Sequence, residues 1–546
     1  MKRIFSLLAI ALVMASCNGN SVDLIIYNAK IYTVDSSFSI AEALAVKDGK
    51  IIAVGTTKDI TDKYTTKEKV DAGGKFIYPG FIDAHAHFLG YGLSLQNVDL
   101  VDTKSWDEVL QRLQAFKQQK NVAANQWITG RGWDQNDWDV KEFPTKQRLD
   151  SLFPDNPVLL TRVDGHAAIA NSKALQLANI KGAQQITGGE IEVTNGQPTG
   201  ILIDNAIDIV SRVIPGADKT KLSNGLLDAQ KNCFAVGLTT IDDCGVSGAT
   251  VDLVEELHKT NQLKMRLYLM LSDEAPNYNY LEKRGIIKTD RLTVRGFKLY
   301  GDGALGSRGA CLLQPYSDRA NWFGFLLSPA THFDSAAARI YSKGFQMCTH
   351  AIGDSSNRVI LNTYAKYLKG KNDLRWRIEH AQVVNQEDFK LFGQYSIIPS
   401  VQPTHATSDM YWAGDRVGKE REKGAYAFRQ LKDQNGWIPL GTDFPVEDIS
   451  HFKTFAAAVF RQDAKGWPQG GYQPENALSP QDALRGMTIW AAKSNFEEKE
   501  KGSLEVGKFA DFTILDRDLL TTDLTSTLQT SVLATYVGGE KVYSKK

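Results

Sequence analysis

From Val22 to Tyr78, short apolar runs alternate with turn residues: Leu24-Ile25-Ile26-Tyr27, Lys30-Ile31-Tyr32-Thr33-Val34, Ala43-Leu44-Ala45-Val46 and Lys50-Ile51-Ile52-Ala53-Val54. Runs of this length, rich in β-branched residues and interrupted by pairs such as Asp48-Gly49, predict strands and a hairpin. The far end repeats the pattern in Phe512-Thr513-Ile514-Leu515 and in Ser531 to Val537, which precedes Gly538-Gly539. We read the two ends, 17–78 and 498–546, as one small β-sandwich, since chain termini commonly meet at a domain surface. Between them lie eight apolar runs: Phe76 to Asp83, Leu238 to Asp242, Met265 to Met270, Val294 to Tyr300, Phe345 to Thr349, Trp376 to Glu379, Ile397 to Val401 and Ile438 to Gly441. They alternate with helical stretches, the pattern of a parallel sheet with helices on its face. Eight repeats predict an α/β fold, a (β/α)8 TIM-like barrel over 79–497. Residues 84 to 237 separate the first two runs, far beyond the roughly dozen residues of a simple crossover. A long insertion after the first barrel strand, about 96–230, is therefore expected. It holds Gln126 to Trp138, rich in Trp and Gly, and an apolar stretch from Pro157 to Ala170 that passes through Asp164-Gly165-His166.

The first residues stand apart from this pattern. Lys2 and Arg3 precede an apolar run from Ile4 to Met14 that ends in Ala15, Ser16 and Cys17. The run is shorter than the about 20 residues that span a bilayer, so 1–16 reads as a secretory signal peptide. Small residues followed at once by Cys resemble the lipobox of bacterial lipoproteins, with Cys17 as the lipidation site. The expectation is an exported lipoprotein facing the periplasm or cell exterior, attached to the membrane only through that lipid. The remaining cysteines, Cys233, Cys244, Cys311 and Cys348, have no metal-ligand spacing and are expected as free thiols, mostly buried.

Composition narrows the function. The 63 basic and 63 acidic residues cancel, which removes any general electrostatic argument for nucleic acid as a partner. A small-molecule substrate is the expected partner, and self-association into a homo-oligomer is left open. There is no GxSxG, no GxGxxG in a dinucleotide context and no Walker loop. His85-Ala86-His87 instead follows directly on the first apolar run, and residues i and i+2 of a strand face the same way. Lys298, His350, His380 and Asp443 then fall at the C-terminal ends of later runs, the face at which barrels of this class build their active sites. Five of these six residues are His or carboxylate, the types that bind zinc and similar divalent ions.

The combination is specific. Pro79-Gly80-Phe81-Ile82-Asp83-Ala84-His85-Ala86-His87, Trp127 to Trp138, Lys298 with Gly301 to Arg308, His350-Ala351-Ile352-Gly353-Asp354, Glu379-His380-Ala381 and Gly441-Thr442-Asp443-Phe444-Pro445-Val446 resemble motifs of the amidohydrolase superfamily and of its YtcJ-like branch, the amidohydrolase 3 family. The resemblance runs from about Val22 to Val542. It implies one or two divalent metal ions, zinc first among them. His85, His87 and Asp443 would hold one, His350 and His380 the other, and Lys298 would bridge them as a carbamate. A lysine ammonium has no acceptor, so that role requires deprotonation and carboxylation; burial and positive neighbours are expected to favour the neutral form. Asp443 would double as the proton-transfer group. His166 matches a further element of the branch and is expected to contact the substrate or transition state. Asp302 and Arg308 are weaker candidates for the same surroundings. Trp127, Trp133 and Trp138 either line a pocket or pack the insertion core. The first functional reading is hydrolysis of a non-peptide carbon–nitrogen bond. Ester or lactone hydrolysis at the same site is the second, and a non-catalytic binding lipoprotein the third.

Overall fold

The computed structural model describes residues 20–135, 138–162, 167–186, 189–306 and 308–546. The expected lipidation site Cys17 and the expected substrate contact His166 lie outside the described residues. The described chain divides into two compact units, one from residues 20–88 and 230–546, the other from the described residues of Leu89–Ala229.

In the first unit seven strands pair in parallel and in chain order: β1 (Phe81–Ala86), β2 (Leu238–Val246), β3 (Arg266–Ser272), β4 (Leu292–Tyr300), β5 (Gln346–Ala351), β6 (Arg377–His380) and β7 (Ile398–Ser400). Apolar residues prevail in them because both faces are covered, and β1 is buried along its whole length although it carries Asp83 and His85. Residues 439–443 close the ring. Leu440 bridges Val401 in parallel, Gly441 N donates to Val401 O, Ala84 N to Leu440 O and Asp443 N to His85 O. The run expected here as a full strand is only a bridge. Pro439 has no N–H to give a ladder, and Asp443 leaves the extended region with φ 66°. The helices between strands follow from period and capping. After β2, Gly248–Lys259 turns Val251, Val254 and Leu257 inward, and the Ser247 side chain caps its N-terminus by accepting from Thr250 N.

The first apolar run proves to be two strands in two sheets. Phe76–Pro79 pairs antiparallel with Phe512–Leu515, and the barrel strand starts only at Phe81. Gly80 allows the break: a Cβ there would lie 2.3 Å from the Thr239 side chain of β2. The sheet containing Phe76–Pro79 has six strands, drawn from both chain ends, and Ile31, Ile77, Phe512, Ile514 and Tyr536 from it share a buried cluster with Leu24, Ile26 and Leu44 of a separate four-stranded sheet. Arg266, the first residue of β3, ties the barrel to this layer through a two-pronged pair with Asp511, 2.6 Å and 2.9 Å, both side chains buried.

The second unit is a six-stranded mixed sheet with its own core. Trp133 and Trp138 are buried in that core, with their indole N–H groups donating to Leu160 O and Thr103 O; Trp127 packs half-buried on a neighbouring cluster. Cys233, Cys244 and Cys348 are buried free thiols, and Cys311 is free and half-buried. No helix among the described residues is long and apolar enough to cross a membrane.

Candidate metal centre

The C-terminal ends of the barrel strands bring together all six residues singled out from the sequence, within the first unit. β1 delivers His85 and His87, whose ring centroids are 5.8 Å apart and nearly perpendicular. Each anchors its ring through Nδ1, His85 on Glu379 Oε2 at 2.6 Å and His87 on the Cys244 carbonyl at 3.1 Å. The Nε2 atoms then turn toward Asp443 Oδ1, 3.6 Å from His85 and 3.2 Å from His87. His380, the last residue of β6, lies between His85 at 4.8 Å, tilted by 56°, and His350 of β5 at 4.5 Å, edge-on at 70°, centroid to centroid. Lys298 of β4 is buried and places Nζ 3.1 Å from His85 Nε2.

Asp443 reaches this point because residue 441 is glycine: a Cβ there would come within 2.6 Å of His85 N and 2.9 Å of Asp83 Oδ1. Asp83 locks the same junction, accepting from His85 N, Thr442 N and the Thr442 hydroxyl. Two residues of the centre, His380 at φ 72° and Asp443 at φ 66°, sit in the left-handed region, which costs a non-glycine residue on the order of 1–3 kcal/mol.

Electrostatics favour neutral imidazoles beside a charged carboxylate. Burial, reinforced by Lys298, pulls His85 down to about 4 and His350 to about 3, while burial and the His350 ring hold His380 well below its usual value. Burial works to raise Asp443, but His405 and His87 outweigh it and keep the carboxylate well below its ordinary range. Glu379 is drawn down to about 2, burial being overcome by His85 and Arg377. Buried and without hydrogen-bond partners are His350 Nε2, His380 Nδ1 and Asp443 Oδ1. Neutral imidazole and carboxylate are the forms that bind a divalent ion, and these orphaned atoms cost stability unless something satisfies them. The donor set fits a metal. Two groups of three, His85 with His87 and Asp443, and His380 with His405 and Asp443, each bring their ligand atoms within 4.8 Å of one another.

Burial acts to lower the Lys298 pKa, while the carboxylates of Glu379 and Asp443 act to raise it. The charge balance at Lys298 therefore turns on whether cations occupy the centre beside it.

Several residues escaped the sequence reading. His405, on the helix Pro403–Asp409 after β7, stands between Asp443 Oδ2 at 3.2 Å and Glu447 Oε1 at 3.3 Å. Its signal was available: it follows the seventh apolar run by four residues. Glu379 stood unread beside His380. Tyr300, two positions after Lys298 on the same strand face, is 43% exposed with its ring 5.7 Å from His350. Of the weaker candidates, Asp302 is buried, pushed up to about 7 by that burial, and accepts from Ile352, Gly353 and Cys311 N–H groups, which fixes the turn after His350. Arg308 pairs with Asp318 and takes no part in the centre.

Comparison with known proteins agrees with this geometry. The model of the amidohydrolase family Amidohydro_3 matches residues 68–543. The putative amidohydrolase YtcJ of Bacillus subtilis (strain 168) is 30% identical, over 94% of this chain and 98% of its own. The N-substituted formamide deformylase of Arthrobacter pascens is 27% identical, over 96% and 98%. The solved structure of an uncharacterized metal-dependent hydrolase from Pyrococcus horikoshii OT3 superposes with a TM-score of 0.78 at 29% identity, covering 92% of this chain and 99% of the other. A barrel carrying this histidine and aspartate cluster, matched over most of its length, belongs to the amidohydrolase family and is a hydrolase acting on carbon–nitrogen bonds.

Proposed function

We propose that the protein hydrolyses a non-peptide, amide-type bond of a small molecule, with His85, His87 and Asp443 holding one divalent ion, His350 and His380 a second, and Lys298 between them once carboxylated. The observation that carries the reading is geometric: His350 Nε2, His380 Nδ1 and Asp443 Oδ1 are buried and unpartnered beside the inward-turned Nε2 atoms of His85 and His87. Bound there, a divalent ion lowers the pKa of a water to about 7 and polarises a carbonyl oxygen. The chain supplies the rest. Asp443, held ionised, is the acceptor for the proton of the attacking water and the donor that returns it to the departing nitrogen. Glu379 keeps the His85 proton on Nδ1, so that Nε2 presents its lone pair. Tyr300, exposed above Lys298, offers a hydroxyl to the substrate. We assign His166 the second substrate contact and Cys17 the lipid anchor of an exported protein, both on sequence grounds. The name of the Arthrobacter pascens relative supports the formamide and amide class first. Esters and lactones present the same carbonyl and are the second reading.

Metal-replete protein tested against matched panels of formamides, linear and cyclic amides, esters and lactones decides between them. Turnover of an amide-type substrate that chelation abolishes is the expected result. Full activity in protein stripped of divalent metal ends the proposal, and turnover confined to esters or lactones moves it to the second reading.

A further inference from the structure

We propose that His405, backed by Glu447, is a positioning residue that selects which oxygen of Asp443 faces the metal, rather than a metal ligand itself. The inference rests on the metal-centre reading above and deepens it. Proximity alone would make His405 a ligand, since it groups with His380 and Asp443 within 4.8 Å. The hydrogen bonds separate it from the other histidines. His350 and His380 each keep a buried ring nitrogen with no partner, and His85 and His87 anchor through Nδ1 and turn Nε2 inward. His405 alone among them has a carboxylate within hydrogen-bond distance of both nitrogens, Asp443 Oδ2 at 3.2 Å and Glu447 Oε1 at 3.3 Å, whereas the second carboxylate near His85 lies 3.6 Å away. An imidazole has two ring nitrogens and no third site, so a ring donating to both carboxylates has no lone pair for a cation.

The consequence falls on Asp443. Oδ2 is taken by His405, whereas Oδ1 is buried without a hydrogen bond and faces the His85 and His87 Nε2 atoms. The backbone of Asp443 is fixed by its left-handed φ and by donation from its N–H to His85 O, so the remaining freedom is rotation of the carboxylate. His405 removes it. The His405 side chain is 13% exposed and Glu447's 20%.

The test uses the full-length holoenzyme and three variants, His405→Ala, His405→Gln and Glu447→Gln, each checked for folding by circular dichroism. The readouts are zinc stoichiometry at saturation, zinc affinity by chelator competition, the visible spectrum of cobalt-substituted protein, and kcat separately from KM. Outer partners of ligands typically tune affinity by about 10- to 100-fold. His405→Ala should keep wild-type stoichiometry at saturating zinc, lose affinity in that range, and shift the cobalt spectrum. His405→Gln, whose amide can still donate to Oδ2, should recover most of both, and Glu447→Gln should move both in the direction of His405→Ala but less. Loss of a whole zinc equivalent from His405→Ala and His405→Gln alike makes His405 a ligand and overturns the inference. So does wild-type affinity and spectrum in all three. A wild-type protein that takes up no divalent metal sinks the metal-centre reading beneath it, which separates the two failures.

Discussion

Glu379→Gln tests whether the carboxylate behind His85 sets the strength of the metal site. The substitution keeps size and an acceptor oxygen and removes the charge. Both partners are fully buried and 2.6 Å apart, so the bond being weakened is a charge-assisted one, worth about 1.5–3 kcal/mol. At about 1.4 kcal/mol per tenfold, its complete loss would weaken metal binding roughly 10- to 150-fold; the retained amide oxygen points to the lower half of that range. A second cost falls on the fold. Glu379 Oε1 has no hydrogen-bond partner and lies 4.0 Å from Arg377 Nη1, so an NH2 placed there is buried, unpaired and beside a guanidinium. Zinc competition against a chromophoric chelator should show the affinity loss, kcat should return toward wild type at saturating zinc, and the chelated protein should melt at a lower temperature. An affinity within about twofold of wild type in a folded variant would refute the argument, because it would mean that His85 gains nothing as a ligand from its buried anion.

Lys298→Ala should lose metal that added bicarbonate does not restore, measured by elemental analysis; full metal content in that variant removes the carbamate bridge. Glu497 is buried, and although burial works to raise its pKa, Lys501 and Lys288 outweigh it and hold it below its ordinary 4.5. A depressed carboxylate stabilises the fold above the unfolded-state value and loses that contribution as pH falls through the folded one. Urea unfolding of chelated protein should therefore show wild type losing stability below about pH 4.5 more steeply than Glu497→Gln, and parallel curves would count against it. Cys17→Ser should release the protein from the membrane fraction or leave it unprocessed, and unchanged fractionation with normal processing would exclude Cys17 as the anchor. His166→Ala should keep its metal and fold while kcat falls roughly a hundredfold with little change in KM; near-normal kcat would make His166 a structural loop residue.

What the sequence made legible follows from where the determinants lie. Barrel strands are announced locally, since a strand covered on both faces is dominated by apolar residues, as in Leu267 to Leu271 of β3. His85, His87, His350, His380 and Asp443 were readable for the complementary reason: polar residues at the ends of such runs stand out. The break at Gly80 was not, because apolarity continues through it and its cause is Thr239, a residue distant in sequence. His405 was passed over although its place four residues after the seventh apolar run was visible, because its role was not. It sits on a helix behind Pro403, and only contact with Asp443 and Glu447 from beyond the next strand position gives it a role. The Lys298 proton is a sum over Glu379 and Asp443, which no local window contains.

The positive φ values at His380 and Asp443 carry this distinction furthest. His and Asp tolerate the left-handed region better than most non-glycine residues, but each such placement still costs on the order of 1–3 kcal/mol, so local preference in Glu379-His380-Ala381 or Thr442-Asp443-Phe444 does not by itself produce it. The barrel imposes it. Asp443 N donates to His85 O, and Thr442 is held to Asp83 by two hydrogen bonds, so the chain between Gly441 and Phe444 has to bend where the ring closes. That bend aims the carboxylate inward at the two β1 histidines. The ligand directions are therefore a property of closure, and a substitution at the junction, such as Asp83→Asn, should disturb the metal centre without touching a single ligand.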